Sequence, residues 1–293
     1  MFKPEAIIQA PISLLGEGPH YEQQSNRLIW VDIEGFKIHR LNVFDQKVET
    51  INTPQRVGAI VPTDRDTYIC GMEDGIYELD FNDKQFSLIV PLEPERPDHR
   101  ANDGKCDPLG RFWIGTYHMG PLSYSGQLYS FTDGELRAKP HLAEIGCSNG
   151  MAWTKDQKTY YFIDSPTKKV DAFDYDIEAG IISNRRTVIE IGDQDGMPDG
   201  MTIDQDDNLW IAHWGGACIT HWNPRTGECI KKIKFPVSQV TSLCFAGPNF
   251  DTLYVTSASI GLSEAQLEEE PLAGSLFKLQ VDAKGKENNI FKS

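Results

Sequence analysis

The stretch MPDGMTIDQDDNLW, residues 197–210, decides how this chain folds. It reads as an Asp-Gly turn, an apolar alternation, a second acidic turn, and then a strand opening on an aromatic residue. The pattern recurs as ANDGKCDPLGRFW (residues 101–113) and SNGMAWTKDQKTYYF (residues 148–162). Asn or Asp followed by Gly, with two short strands about a dozen residues apart, is a hairpin signature. Three copies in one chain make internal repetition the first question.

Strand-like runs with a bulky centre occur at RLIWVDI (Trp30), DTYICGM (Ile69), GRFWIGT (Trp113), TYYFIDS (Phe162), NLWIAHW (Trp210) and DTLYVTS (Tyr254). The gaps between these anchors are 39, 44, 49, 48 and 44 residues. A second strand-like run follows each: KIHRLNV, GIYELDF, GQLYSFT, KVDAFDY, CITHWNP and GSLFKLQ. A period of ~40–50 residues is that of four-stranded propeller blades. Six such units fill the chain, and no linker-like composition divides it. The expectation is an all-β fold, a single six-bladed β-propeller over residues 1–293. A short apolar strand near residues 5–9 is expected to pair with the last blade and close the ring, which removes exposed sheet edges. The best helical candidate, LSEAQLEEE (residues 262–270), is read as a loop with one surface turn.

Composition narrows the function classes. A 293-residue chain with 40% hydrophobic and 10% aromatic residues can bury a sizeable core. The net charge of −15 argues against sequence-independent nucleic-acid binding and against docking on anionic membranes. No apolar run of 18 residues exists, so no membrane span is expected. The N-terminal segment, broken by Pro4, Glu5 and Pro11, does not read as a signal peptide. Six cysteines without C-x-x-C spacing, mostly in apolar runs, suit buried free thiols of a reducing compartment. A cytoplasmic protein is expected; the oligomeric state stays open, and a monomer is compatible with the sequence.

The register of the repeats carries the functional reading. Stepping back 11 to 13 residues from each anchor reaches Glu17, then Val57 or Gly58, Asn102, Asn149, Asp199, and Thr241 or Ser242. The first strand of each blade lines the central channel, so equivalent positions form a ring round one mouth. Carboxylates and amide oxygens gathered there repel or recruit a cation. Such ligation suits calcium, magnesium or manganese, with zinc and ferrous iron as alternatives. Asn-Gly and Asp-Gly also form turns unaided, which accounts for any one copy but not for Glu17 or for four in register.

These residues resemble a known family. GEGP near the start, RANDGKCDPLGRFWIGT, SNGMAW, YFIDSPT and MPDGMTIDQDDNLWIAHWGG together look like the senescence marker protein, gluconolactonase and luciferin-regenerating enzyme family, which includes regucalcin and bacterial sugar lactonases. The resemblance covers nearly the whole chain. It implies a six-bladed propeller that binds one divalent metal at its axis and hydrolyses a small-molecule sugar lactone. By motif position, Glu17, Asn149 and Asp199 match metal ligands, and Arg100 and Asn102 match residues that contact substrate hydroxyls. Asp199 is the expected proton carrier. The family often has an acidic side chain after the G-T turn of blade three, where this chain has Tyr117 and His118 in GTYHMGPL. His118 is therefore read either as a substrate contact or as a plain loop residue. A calcium-binding regulator or scaffold without catalysis, and a related metal-dependent esterase, are the alternative functions.

Other polar residues receive structural readings. His213 and His221 are placed on strands, one inward and one at a surface. Asp103 and Asp107 are read as turn residues, because an EF-hand's twelfth-position Glu is missing. Asp204, Asp206 and Asp207 are read as a solvated acidic turn. No G-x-S-x-G elbow appears and Ser148 has no adjacent base, so a serine nucleophile is not expected.

Overall fold

The computed structural model describes residues 3–293, and it contains six four-stranded antiparallel sheets arranged as the blades of a propeller. The blades begin at the channel with the inner strands Gly16–Glu22, Val57–Pro62, His99–Cys106, Ser148–Trp153, Met197–Ile203 and Val240–Ala246. Every anchor lies on the second strand of its blade, and all six are buried. They fill the wedges between blades. Trp30 packs with Cys244 and Tyr254 across the first and last blades. Trp113 meets Trp153 and Tyr160 of blade four, and Trp210 meets Phe245 of blade six edge-on at 6.0 Å. Large aromatics at one register therefore weld neighbouring blades, which is why the period is so regular.

The ring closes as expected. Glu5 pairs with Lys278 and Ala6 with Phe277, so the segment Glu5–Ala6 supplies the outer strand of the last blade. Residues 262–270 depart from the expected loop. Glu264–Glu269 is a short exposed helix, because Ser263 and Gln266 form a reciprocal capping box at its start.

The repeated Asn-Gly and Asp-Gly pairs are not hairpin turns. They lie inside the inner strands, at a β-bulge that recurs in all six blades. The pairing slips between Glu17 and His20, Val57 and Ala59, Ala101 and Gly104, Ser148 and Met151, Pro198 and Met201, and Val240 and Leu243. A bulge bends its strand and re-aims one side chain, here at the same level in every blade. Glycine serves close approach instead of positive φ: a Cβ on Gly150 would stand 2.4 Å from the Met201 Cβ, and one on Gly200 2.2 Å from the Ser242 Oγ. Only glycine lets the bulged strands come this near round the axis.

The opposite mouth is crossed by the C-terminal tail. Gly285 bridges to Asp204, Lys286 Nζ donates to the Trp153 carbonyl, Asn289 Nδ2 to that of Cys106, and Phe291 pairs beside Thr63. Behind it lies an axial cavity of about 180 Å³.

Three further readings are corrected. Asp204 is not solvated but 2% exposed, its Oδ2 taking the Trp210 indole N–H at 3.1 Å and lying 2.9 Å from His221 Nε2. His213 and His221 are both buried, the first with Nε2 2.6 Å from Thr220 Oγ1. Asp107 does hold a turn, accepting the Leu109 and Arg111 amides, but Asp103 sits in the channel wall. All six cysteines are free: four are buried, Cys147 is half-buried and Cys229 is exposed.

Candidate active site at the channel mouth

The bulges deliver Glu17, Asn102, Asn149 and Asp199 to one mouth, from blades one, three, four and five. Direct contacts link three of these blades. Asn102 Nδ2 donates to the Ser148 carbonyl at 2.8 Å and lies 3.2 Å from Asn149 Oδ1. Asn149 Nδ2 donates to Ser165 Oγ at 2.7 Å, and Ser165 donates to the Pro198 carbonyl, next to Asp199. Because its amide nitrogen is tied to Ser165, Asn149 presents its oxygen to the ring.

The carboxylates are short of partners. Glu17 is 8% exposed and accepts the Gly18 amide at 3.1 Å. Burial, reinforced by the charge of Asp103, pushes its carboxyl up to about 8. Asp199, 6% exposed, is pushed well above the ordinary range by burial and by the charges of Glu17 and Asp103. Two buried carboxylates, with Glu17 raising Asp199 and Asp103 raising both, are a high-energy arrangement that a cation relieves. With the Asn149 oxygen they make an all-oxygen donor set of the kind hard divalent ions take. The residues present thus fit such an ion.

Arg100 is 3% exposed and stands behind Asn102: its Nη1 donates to Asn102 Oδ1 at 2.7 Å, and its guanidinium lies 4.5 Å from the Tyr117 ring centre. Its Nε is buried with no hydrogen-bond partner among the described residues. His118 is turned onto its own loop. Its Nε2 is 3.2 Å from Asp98 Oδ2, its Nδ1 takes the Gly120 amide at 3.2 Å, and its ring packs edge-on against His99 at 5.4 Å.

Four residues near the site escape the register argument: Ser165, Cys147, Asp103 and Lys105. Cys147 Sγ lies 3.6 Å from Asn102 Nδ2 and 3.7 Å from Asn149 Nδ2. Burial, and then the charge of Asp199, push its thiol far up, so it is a neutral neighbour. Asp103 and Lys105 both face the axial cavity from the inner strand of blade three; the NDGK turn signal masked them.

A sequence profile described as the SMP-30/Gluconolactonase/LRE-like region matches residues 15–259. The chain belongs to that family. It is 36% identical over 279 residues to regucalcin of Danio rerio, covering 94% of each chain. It is 34% identical over 284 residues to the putative sugar lactone lactonase YvrE of Bacillus subtilis, covering 96% of each. Among solved structures, a calcium-binding protein named regucalcin from Agrobacterium tumefaciens superposes with a TM-score of 0.94 at 25% identity, over 100% of this chain and 98% of that one. The family resemblance read from the motifs is borne out, as is the propeller fold.

Proposed function

We propose that this protein hydrolyses a sugar lactone to the corresponding aldonic acid, using one divalent ion held by Glu17, Asn149 and Asp199. The observation that carries the reading is the pair of buried, mutually repelling carboxylates at the channel mouth, beside an amide oxygen turned toward them. Membership of a family with a relative named as a sugar lactone lactonase supports lactones as the substrate class. The ion, when bound, supplies Lewis-acid polarisation of the lactone carbonyl and stabilisation of the negative charge that grows on it.

The chain's own residues supply the proton work and the orientation. Asp199 takes a proton from the attacking water and returns it to the ring oxygen as the ester C–O bond breaks. Ser165 holds the Asn149 amide, and Arg100 holds that of Asn102, so both oxygens keep fixed directions. Asn102, beside Asn149, and Arg100 behind it contact substrate hydroxyls. His118 lies outside this set, with both ring nitrogens engaged by its own loop and Asp98.

The decisive experiment strips the protein with chelator and returns calcium, magnesium, manganese, zinc or ferrous iron singly. Acid release is then followed on a panel of aldonolactones, corrected for spontaneous opening. A metal-dependent excess on at least one lactone is expected. No excess on any lactone, with metal binding intact, would leave the calcium-binding regulator as the reading; a preference for aryl esters would move the substrate class.

A further inference from the structure

Behind the ring, the channel holds a second set of charges that the hydrolytic scheme does not use. Asp103 and Lys105 project from the inner strand of blade three into the axial cavity, together with His20 of blade one. Asp103 is 4% exposed; its Oδ1 takes the Gly104 amide at 2.8 Å, while its Oδ2 is buried without a hydrogen-bond partner among the described residues. Lys105 is half-buried, with its length along the cavity. Its ammonium is not spent on Asp103: Nζ crosses the channel and donates to the Met201 carbonyl, two residues beyond Asp199 on blade five.

A lysine reaching across the axis to the strand that carries Asp199 is a costly placement. Desolvation pulls its ammonium below the ordinary range, and Asp103, Cys244 and Glu17 are the groups that hold it up. Asp103 directly follows Asn102 on the inner strand, and Lys105 is bonded to the strand that carries Asp199, so both charges stand behind the ring along one channel. Three buried carboxylates share one channel with this ammonium. A divalent ion at the mouth balances Glu17 and Asp199; Lys105 balances Asp103.

We propose that Asp103 and Lys105 are positioning residues: opposed charges fixed behind the Glu17–Asp199 ring that set its cation affinity. This rests on the reading of the ring as a divalent-ion site. Neither residue touches substrate. Asp103 draws the ion in and Lys105 restrains it, so the site binds firmly without locking the carboxylate that must also carry a proton. The pair acts through the field of the channel, strong there because water is largely excluded.

The test is calcium titrated calorimetrically into chelator-stripped full-length protein, with thermal melting of each variant as a control for the fold. Asp103→Asn is expected to weaken calcium binding about tenfold and Lys105→Met to tighten it about tenfold, the magnitude of one buried charge acting on a divalent ion. Lys105→Arg, which keeps the charge, is expected to stay within about threefold of the wild type. The double variant is expected to return near the wild-type value. A purely structural role would weaken binding in both single variants. Changes of the same sign, or no change in either, would overturn the proposal. Should Lys105→Met fail to fold, Asp103→Asn and Lys105→Arg decide it: an unchanged affinity in the first, or a large change in the second, rules it out. A wild-type protein that binds none of calcium, zinc or manganese would overturn the ring's assignment itself, and this inference with it.

Discussion

Asp199 and Asp204 lie in the same repeat, five residues apart, and both are buried, at 6% and 2% exposure. Their surroundings differ completely. Asp204 has every lone pair employed: its Oδ1 accepts the Asp206 and Asn208 amides at 3.0 and 2.9 Å, and its Oδ2 serves the Trp210 indole and His221. Burial alone would raise its carboxyl, but these hydrogen bonds outweigh it and hold it below the ordinary range. Asp199 has only a backbone amide and two like charges, and is driven the other way. Blade three repeats the satisfied arrangement, with Asp107 accepting the Trp113 indole at 3.1 Å and His141 stacked on Trp113, as His221 is on Trp210. A buried acid with all its partners is part of the framework; a buried acid without them is where something else must come. Exposure alone does not separate the two.

The sharpest way to break the comparison is to neutralise each acid. Asp199→Asn keeps the shape and removes the proton acceptor. Turnover is expected to fall by at least ~10³, while the melting temperature of the chelator-treated protein stays level or rises, because a repelling buried charge is gone. Wild-type turnover in this variant would remove Asp199 from the chemistry. Asp204→Ala is expected to do the reverse. It strands an indole N–H and two amides in the interior, costing about 3 kcal/mol in urea unfolding, with kcat of the folded fraction unchanged. If Asp204→Ala cost activity without stability, the division into framework and site acids would be wrong.

Much of this was legible in the chain. Trp30, Trp113 and Trp210 marked the period because blade-to-blade welding needs a large apolar group at one height. Glu17 and Asp199 were singled out by counting back from Trp30 and Trp210, and Asn149 by counting back from Phe162. The bulge was not legible, because Asn-Gly and Asp-Gly suit both a hairpin turn and a tightly packed inner strand. That ambiguity hid Asp103, which reads as a turn residue in NDGK until the strand is seen to run through it, and with it Lys105, to which no role was given. Asp204 misled for a different reason. DQDDN reads as a solvated turn, yet Asp107 and Asp204 each precede a tryptophan by six residues, and that repeated spacing signals the indole reaching back to the acid.

Glu17 sharpens the contrast further. Glu17→Gln removes one of two charged donors, and calcium affinity is expected to drop by about 100-fold in calorimetric titration; unchanged affinity would exclude Glu17 as a ligand. The two kinds of acid also predict opposite pH limbs for the metal-free protein. Glu17 is raised from about 4.5 to about 8 on folding, so its contribution to stability is complete below about 4.5 and is lost as pH rises through about 8. Thermal melting should therefore decline from pH 5 to 8.5, and Glu17→Gln should flatten that decline. Asp204 is lowered on folding, so its contribution is present above the ordinary carboxylate range and is lost as pH falls through its depressed value. Asp204→Asn should flatten the acid limb and leave the alkaline one.

The smallest effect is expected at His118, which lies on the rim and is neither a framework acid nor a ring ligand. It ends the second strand of blade three and closes its loop back on Asp98 and the Gly120 amide, with its ring against His99. A side chain so engaged can shape the entrance without contacting the reacting atoms. For His118→Ala the expected change is about threefold in KM, from a loosened 119–125 loop, with kcat and calcium affinity unaltered. A kcat loss approaching that of Asp199→Asn would mean that His118 leaves Asp98 when substrate arrives and takes part in the chemistry. Steady-state kinetics on His118→Ala and Asp98→Asn separate these cases: a tether predicts the same KM shift from both, whereas a catalytic histidine predicts a kcat loss from the first alone.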